Sequence, residues 1–515
     1  MASILKSSVI VSSLTMGSRI FGFLRDVVIA NKLGVSAASD AFFVALLVPN
    51  ILRRIFAEGA FNVVFVPILS RMKETSPKDE EDFINSAYMW LLFVVGFVVI
   101  LGEIFMPQLI SYVIAPGWSS NNPDKLELVV PLARITFPYL LLITLASFAG
   151  GICNTHKKFG PFAFVPVLLN FAIIGCLFFL PPFGIDPSVA ASIALPIGGV
   201  MQMGYMWWAL HKINIRPMLT EKIKHPEMKP MLMRMGPAAL TMGILQISFL
   251  IDIQFASFIA DDAVSYMQYA NRFYQFPLAL IAVTLSTVLL PHFSTALAKN
   301  DTSEANKSFT SAITYGGMLS LASMAGLLFL ADVLISTLFG HGKFTEANAL
   351  ATATTMQAYC IGLPALVVAK VSATAFYANK DTKTPVLISI FSLVVNVALN
   401  FILIREYAYV GLALATGLTA YFNAGMQIFF LYRKDYMRFE GLDLLMANMG
   451  KTIVITLFMV AWLFAFKEIV PLADSFMLKM IWLVGACTSA AIVFMTAAHV
   501  SKLFDVKEVI SHIRN

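Results

Sequence analysis

The sequence carries little charge for its length. Only 13% of its 515 residues are Asp, Glu, Lys or Arg, and 58% are hydrophobic, whereas soluble proteins carry about 25% charged residues. A soluble chain of this length needs a charged surface, so the shortage of charge excludes that class. Apolar runs of about 20 residues recur instead, each long enough to cross a hydrocarbon core of about 30 Å. The sequence therefore predicts an all-α polytopic membrane protein with about 14 transmembrane helices.

Several chemistry-bearing motifs are also missing. The 4 cysteines lie within apolar segments without paired spacing, which favours buried hydrophobic side chains over disulfides or metal ligands. There is no HExxH-type histidine pair and no Walker or Rossmann glycine loop, so an ATPase or a dehydrogenase is excluded. The net charge of +6 comes without a basic cluster interleaved with aromatic residues, and we therefore expect no nucleic-acid partner.

Basic residues are unevenly distributed between the segments that connect the predicted spans. With the N-terminus inside, the inner segments hold about four times as many Lys and Arg as the outer ones, and cytoplasmic loops are the basic ones. The predicted topology therefore places both termini in the cytoplasm.

An internal repeat relates the two halves of the sequence. The segment Leu-Thr-Met-Gly at 14–17 recurs at 240–243, and Asp26 recurs as Asp252. An even number of predicted spans separates the copies, so we expect two parallel six-helix lobes about an axis along the membrane normal, with a cavity between them. The predicted parts are an N-lobe at 1–211, a basic linker at 212–230, a C-lobe at 231–440, and a last pair of helices with a cytoplasmic tail at 441–515.

Charged residues inside the predicted spans are the most informative feature. An arginine at the bilayer centre costs about 2.5–3.5 kcal/mol, so such residues line a wet cavity or meet a partner. Arginines that converge on a cavity suit a multivalent anion, because a guanidinium binds phosphate in a bidentate way. The alternative is a set of structural ion pairs. The predicted cavity arginines are Arg19, Arg25, Arg53, Arg54 and Arg272, and the acids that could hold them, or open and close contacts between the lobes, are Asp26, Asp40 and Glu58.

A second polar group is a candidate cation site. Asp252 has no adjacent arginine, and Asn396, Asn400 and Thr416 have helical spacing compatible with a common face. A carboxylate with amide and hydroxyl oxygens can bind sodium. Hydrogen bonding between helices explains the same residues equally well.

Two segments resemble the MurJ (MviN) family, the bacterial lipid II flippases of the MOP exporter superfamily. They are TMGSRIFGFLRD at 15–26 and LRRIFAEGAF at 52–61. The similarity covers essentially the whole chain and weakens over the last two predicted spans. It implies a transporter rather than an enzyme. Alternating access would carry the lipid-linked peptidoglycan precursor from the cytoplasmic to the periplasmic leaflet of the bacterial inner membrane.

The resemblance also implies roles for particular residues. The last pair of helices would form a groove for the lipid tail. The essential cavity residues of the family match Arg19, Arg25, Asp40, Arg53, Arg54, Glu58 and Arg272, and its sodium site corresponds to Asp252, Asn396, Asn400 and Thr416. The family pattern has an acid where this sequence has Asn400.

The expected partners are lipid II and membrane lipids, and we expect a monomer that could associate with the cell-wall synthesis machinery. No cofactor is expected; a sodium gradient or the membrane potential would drive transport. Three alternatives stay open: a flippase for another polyprenyl-linked glycan, a MOP-type drug or cation antiporter, and a non-transporting scaffold for cell-wall enzymes.

Overall fold

A computed structural model describes residues 2–55, 61–219, 225–259, 262–299, 301–472 and 475–503. Every regular element in these ranges is helical, as the sequence predicts. The chain divides into two compact units, one comprising Met1–Ser265 with Gly342–Phe344 and the other Tyr266–His341 with Thr345–Asn515. The lobe boundaries derived from the repeat stay a prediction.

The first unit contains long apolar helices whose starts are set by short polar residues. Ser36 caps α2, because its hydroxyl accepts a hydrogen bond from the Ser39 backbone N–H, and Asp186 caps α9 through the Ser188 backbone N–H. The helices are α1 (Ala2–Leu33), α2 (Ala37–Leu52), α3 (Phe61–Thr75), α4 (Pro77–Gln108), α5 (Pro116–Asn121), α6 (Pro123–Thr136), α7 (Tyr139–Thr155), α8 (Gly160–Phe179), α9 (Pro187–His211) and α10 (Met228–Ser257).

The second unit continues from helix α11, which begins in the first. Its helices are α11 (Ala263–Leu278), α12 (Thr284–Ala298), α13 (Thr302–Phe339), α14 (Glu346–Ile361), α15 (Leu363–Ala378), α16 (Lys383–Arg433), α17 (Leu442–Ile469) and α18 (Phe476–Val500). Helix α16 is sharply kinked at Ala408, where φ is 47°. Its two ends meet, since Lys434 Nζ lies 2.7 Å from Asp381 Oδ2. The two segments of α16 therefore run back along each other, as the two predicted spans at this position require.

The apolar helices support the predicted membrane topology. Among the described residues, 8 helices are long and apolar enough to cross a membrane, and 9 if the bent pair α14 and α15 is one span. In the described ranges, each span predicted from the sequence coincides with one or more helices. Part of the difference from about 14 arises because α16 counts as one helix and because the second span of each half is divided into shorter helices. The all-α polytopic fold is confirmed.

Proline interrupts one span of the first unit, and a neighbouring helix compensates. Pro49 has no N–H to bond to the Ala45 carbonyl one turn earlier. The hydroxyl of Thr136 on α6 donates to that carbonyl instead, at 2.9 Å. After this break the chain forms a π-helical turn at 53–55. The turn at 53–55, which contains Arg53 and Arg54, therefore follows directly after α2, and α2 is hydrogen-bonded to α6.

Interrupted and continuous helices follow the same order in both halves of the chain. In each half the second span has a π-helical break, at 53–55 and at Ala279–Val283. The fourth span is also divided, into α6 and α7 in one half and into α14 and α15 in the other. This order is what the duplication seen in the sequence leads one to expect.

Candidate functional site

Helix α1 carries a partly buried arginine held by two neighbours. Arg25 donates from Nε and Nη2 to Asp26 Oδ1, at 3.0 and 2.7 Å. Its Nη1 donates to the side-chain oxygen of Asn170 on α8, at 3.0 Å. The side chains of Arg25 and Asp26 are 15% and 8% exposed. The structure thus fixes the plane of this guanidinium, which is the group that the sequence predicts to bind an anion.

Asn170 was not identified by the sequence analysis. Its side chain is 3% exposed, and its Nδ2 donates to the Ser18 carbonyl on α1 at 3.3 Å. One signal could have revealed it: Asn170 is a single amide within the apolar segment PVLLNFAII at 166–174. An isolated polar residue in an apolar span points to a bond with another helix.

The arginines after α2 have amide partners. Arg53 Nε donates to Asn50 Oδ1 at 3.3 Å, and Arg54 Nη1 donates to Gln246 Oε1 on α10 at 3.0 Å. An amide oxygen orients a guanidinium and places no negative charge beside it. Arg54 is exposed, as is Arg19 on α1. The first unit therefore presents cationic groups that can interact with an anion.

Asp40 pairs with a lysine, which corrects the suggestion that it holds an arginine. Lys125 Nζ lies 2.9 Å from Asp40 Oδ2 and 2.7 Å from Asp262 Oδ1. The other oxygen of Asp40 accepts from the backbone N–H of Ser265 at 2.7 Å, so this carboxylate caps the first turn of α11. The side chains of Asp40 and Lys125 are 0% and 7% exposed. This charge cluster fixes the connection between α10 and α11 to the starts of α2 and α6.

Two further predicted residues complete the arginine and acid set. Arg272 lies on α11 within the second unit and is half-buried. Its convergence with the arginines of the first unit stays a prediction. Glu58 lies outside the described residues.

The residues of the predicted sodium site lie on two helices. Asp252 is on α10, and Asn396, Asn400 and Thr416 are on α16. Asn400 Nδ2 donates to Asn396 Oδ1 at 3.3 Å, and the Thr416 hydroxyl donates to the Leu412 carbonyl at 3.1 Å. The bond occupies one site on the Asn396 oxygen and does not involve the buried Asn400 oxygen, and these three α16 side chains include no carboxylate. The sodium site stays a prediction, with amide and hydroxyl oxygens on α16 and its one carboxylate on α10.

An apolar groove lies in the second unit. It is formed by α13, α17 and α18 together with Pro277 of α11, and has a volume of about 340 Å³. Its walls include Leu319, Leu330, Met459 and Phe494, and Ser323 adds a hydroxyl. The groove offers a surface suited to a hydrocarbon chain, in the pair of helices for which the sequence resemblance implies a lipid-tail site.

Comparison with known proteins identifies the family. A family model described as "Lipid II flippase MurJ" matches residues 29–483. The chain belongs to the MurJ family. A MurJ relative from Rickettsia prowazekii, described as "Probable lipid II flippase MurJ", is 35% identical over 441 residues, which cover 85% of this chain and 86% of the relative. The resemblance seen in the sequence is confirmed.

Solved structures agree with membership of the MurJ family. One described as "Lipid II flippase MurJ, inward closed conformation" has a TM-score of 0.80 and 28% identity, and the match covers 96% of this chain and 98% of that one. An inward-facing multidrug resistance MATE family transporter of the MOP superfamily has a TM-score of 0.69, with 83% and 97% covered, at 14% identity. This second match shows the fold alone, and it places the MurJ fold of this chain beside that of the MOP exporters.

Proposed function

We propose that this protein is a transporter that flips lipid II from the cytoplasmic to the periplasmic leaflet for cell-wall synthesis. The observation that carries the proposal is the Arg25 guanidinium, held in a fixed plane by Asp26 and Asn170. A planar guanidinium matches the oxygens of a phosphate, and lipid II presents a diphosphate. Membership of the MurJ family, whose model carries the lipid II flippase description, identifies the lipid.

The remaining arginines extend the proposed binding surface for the headgroup. Arg19, Arg53 and Arg54 are in the same unit as Arg25, and the sequence predicts that Arg272 joins them. The polyprenyl tail would stay in the apolar groove of α13, α17 and α18, since moving it into water costs about 0.8 kcal/mol for each CH₂ group. In this arrangement the headgroup crosses through a polar path while the tail stays among apolar side chains.

Asp40 and Lys125 have a proposed role in gating. Their charge cluster, completed by Asp262, connects α2 and α6 to the start of α11. The chain leaves the first unit directly after Ser265, so the proposed gating role of the cluster is to hold this connection in one state of the transport cycle and to release it in another. Asp40 thus acts as a gating residue through Lys125 and the Ser265 backbone.

We assign the driving force to the membrane potential. The α16 residues of the predicted sodium site, Asn396, Asn400 and Thr416, are all neutral, and a carboxylate is the stronger ligand for a hard cation such as sodium. A diphosphate carries negative charge, and moving one charge through 100 mV is worth about 2.3 kcal/mol. A potential that is negative inside favours outward movement of this headgroup.

The proposed location is the bacterial inner membrane, with both termini in the cytoplasm. The excess of Lys and Arg in the predicted inner segments supports this orientation. The chain is a multi-pass membrane protein of the MurJ family. It would act as a monomer, in association with the enzymes that polymerise the exported precursor.

A complementation experiment tests the proposed function. Cells depleted of their own flippase would express the wild type, Arg25→Ala, Arg272→Ala or, as a control, Arg405→Ala, an exposed arginine of α16. Lipid II at the outer surface would be quantified by labelling. Wild type and the control should restore the labelled lipid, and both cavity variants should leave it at the depleted level while inserting normally. Wild-type amounts of surface lipid II with both Arg25→Ala and Arg272→Ala would exclude these arginines from transport.

A further inference from the structure

The contact between α1 and α8 centres on Asn170. The phenyl rings of Phe21 and Phe171 pack beside it with centroids 4.7 Å apart, and a Cβ at Gly22 would lie 3.6 Å from Asn170 Nδ2. Asn170 receives one bond from Arg25 and gives one to the Ser18 carbonyl. Its amide is therefore oriented by helix α1 at one end, so the side-chain oxygen has a defined direction toward Arg25.

The hydrogen bonds of Arg25 leave some of its N–H groups available to a ligand. An arginine side chain has five N–H groups in a planar fork. Arg25 directs Nε and Nη2 at Asp26 and Nη1 at Asn170. Among the described residues, these contacts leave one N–H on each terminal nitrogen without a partner. Two N–H groups in one plane are what a phosphate needs for a bidentate contact.

We propose that Asn170 is a positioning residue for substrate binding, which fixes the Arg25 fork so that its two remaining N–H groups meet two oxygens of the lipid diphosphate. This inference rests on the proposed function and extends it to a residue on a different helix. Asn170 acts through Arg25 and does not itself touch the lipid.

The neutrality of Asn170 matters as much as its oxygen. Asp26 already balances the charge of Arg25 through a bond of 2.7 Å. A second carboxylate at position 170 would hold the guanidinium equally well and give the cluster a net negative charge, which repels a diphosphate. An asparagine oxygen orients the fork without adding charge. Orientation and charge can therefore be separated by two substitutions of similar size, Asn170→Leu and Asn170→Asp.

Binding to the full-length protein in nanodiscs tests the proposal. The probes are undecaprenyl diphosphate and undecaprenyl monophosphate, and the measured quantity is Kd. Asn170→Leu should weaken diphosphate binding about tenfold, because the fork is no longer fixed toward the phosphate. Asn170→Asp should weaken it further. Arg25→Ala should lose the binding, and adding Asn170→Leu to Arg25→Ala should produce no additional loss.

A matched control separates positioning from stability. Asn423 on α16 also makes a partly buried amide contact between segments, from Nδ2 to Ser392 Oγ at 2.8 Å, and its other bond is to Gln427, not to an arginine. Asn423→Leu and Asn170→Leu should lower the thermal unfolding midpoint to a similar extent, and only Asn170→Leu should change Kd. If Asn170 had only a structural role, Asn170→Leu would lower the unfolding midpoint and leave Kd unchanged.

The outcomes separate this inference from the function on which it rests. If Arg25→Ala abolishes binding and Asn170→Leu binds within twofold of the wild type, Asn170 does not position Arg25. The same conclusion follows if the fold-increases in Kd caused by Arg25→Ala and by Asn170→Leu multiply in the double variant. If the wild type binds the diphosphate no better than the monophosphate and Arg25→Ala binds as the wild type does, diphosphate recognition by Arg25 fails, and the role of Asn170 fails with it.

Discussion

At the scale of single residues, two cations in the first unit are held by specific acceptors. Arg25 has a carboxylate and an amide, and Lys125 has two carboxylates. The desolvation of a buried charge is large, and its partners offset it only while all of them are present. Removing one partner therefore lowers the free energy of unfolding by more than the net contribution of the pair to stability.

Lys125→Met tests this dependence in the charge cluster of Asp40. The substitution leaves Asp40 buried without its cation, so we expect a loss of about 3–5 kcal/mol in the free energy of unfolding. Adding Asp40→Asn should recover part of it, because the uncompensated charge is then gone. Denaturant unfolding of the purified protein measures both, with Arg405→Met as an exposed control. A Lys125→Met variant as stable as the control would show that the cluster does not stabilise the first unit.

Asp381 provides a test based on pH, at the end of α16. Burial alone would raise the pKa of its carboxyl, but hydrogen bonds from Lys434 and Thr384 outweigh this effect and lower the pKa to about 2. A depressed pKa stabilises the fold above the ordinary value of 3.8, and this stabilisation is lost as the pH falls toward the folded-state pKa.

We therefore expect Asp381→Asn to lower the thermal unfolding midpoint by the same amount at pH 7 and pH 5. The difference from the wild type should shrink as the pH decreases from 3.8 toward 2. Scanning calorimetry across this range gives the measurement. A difference that persists unchanged at the lowest pH would rule out the charge of Asp381 as its cause.

At the scale of elements, the sequence predicts what is local and misses what is distant. Apolar runs and prolines predict the helices and their breaks, because both act through neighbouring residues. The bond between Asp40 and Lys125 joins residues far apart in the chain, and no periodicity encodes such a pair. For the same reason Asn170 was missed, whereas Arg25 was identified from its cost in an apolar span.

The contact between α5 and α10 yields a prediction at this scale. A Cβ at Gly117 would lie 2.4 Å from the Ser257 carbonyl oxygen, whereas a Cβ at Gly96 meets nothing within 4 Å. Gly117→Ala must separate two backbones, so we expect a destabilisation of about 1–3 kcal/mol. Thermal unfolding beside the control Gly96→Ala checks it. Equal midpoints for the two variants would mean that the helices can move apart at no cost.

Helix α16 gives a prediction about ion dependence. Asn400→Asp supplies a carboxylate beside the oxygen of Asn396, which a sodium ion prefers to a second amide. We expect the wild type to show the same unfolding midpoint in sodium and potassium chloride, and Asn400→Asp to be more stable in sodium. The matched control is Asn423→Asp, which lies elsewhere on α16 and should show no sodium effect. Sodium-specific stabilisation of the wild type would contradict the assignment of the driving force to the membrane potential.

At the scale of the whole molecule, one duplicated helix pattern accommodates two chemistries. The first unit contains Arg25 and three further predicted cavity arginines, and the second contains an apolar groove of about 340 Å³. A lipid with a charged headgroup requires both kinds of surface in one protein. A drug or cation antiporter is not favoured, because a cationic substrate is repelled by the arginines.

The most direct test reconstitutes the purified protein in proteoliposomes under a membrane potential. Fluorescent lipid II, a polyprenyl monophosphate glycan and a cationic drug are offered separately, and their transfer across the bilayer is measured for the wild type and Arg25→Ala. We predict that the wild type moves lipid II faster than the other two substrates and that Arg25→Ala moves no lipid II. Movement of the drug without lipid II, or lipid II transfer at the wild-type rate by Arg25→Ala, would contradict this prediction.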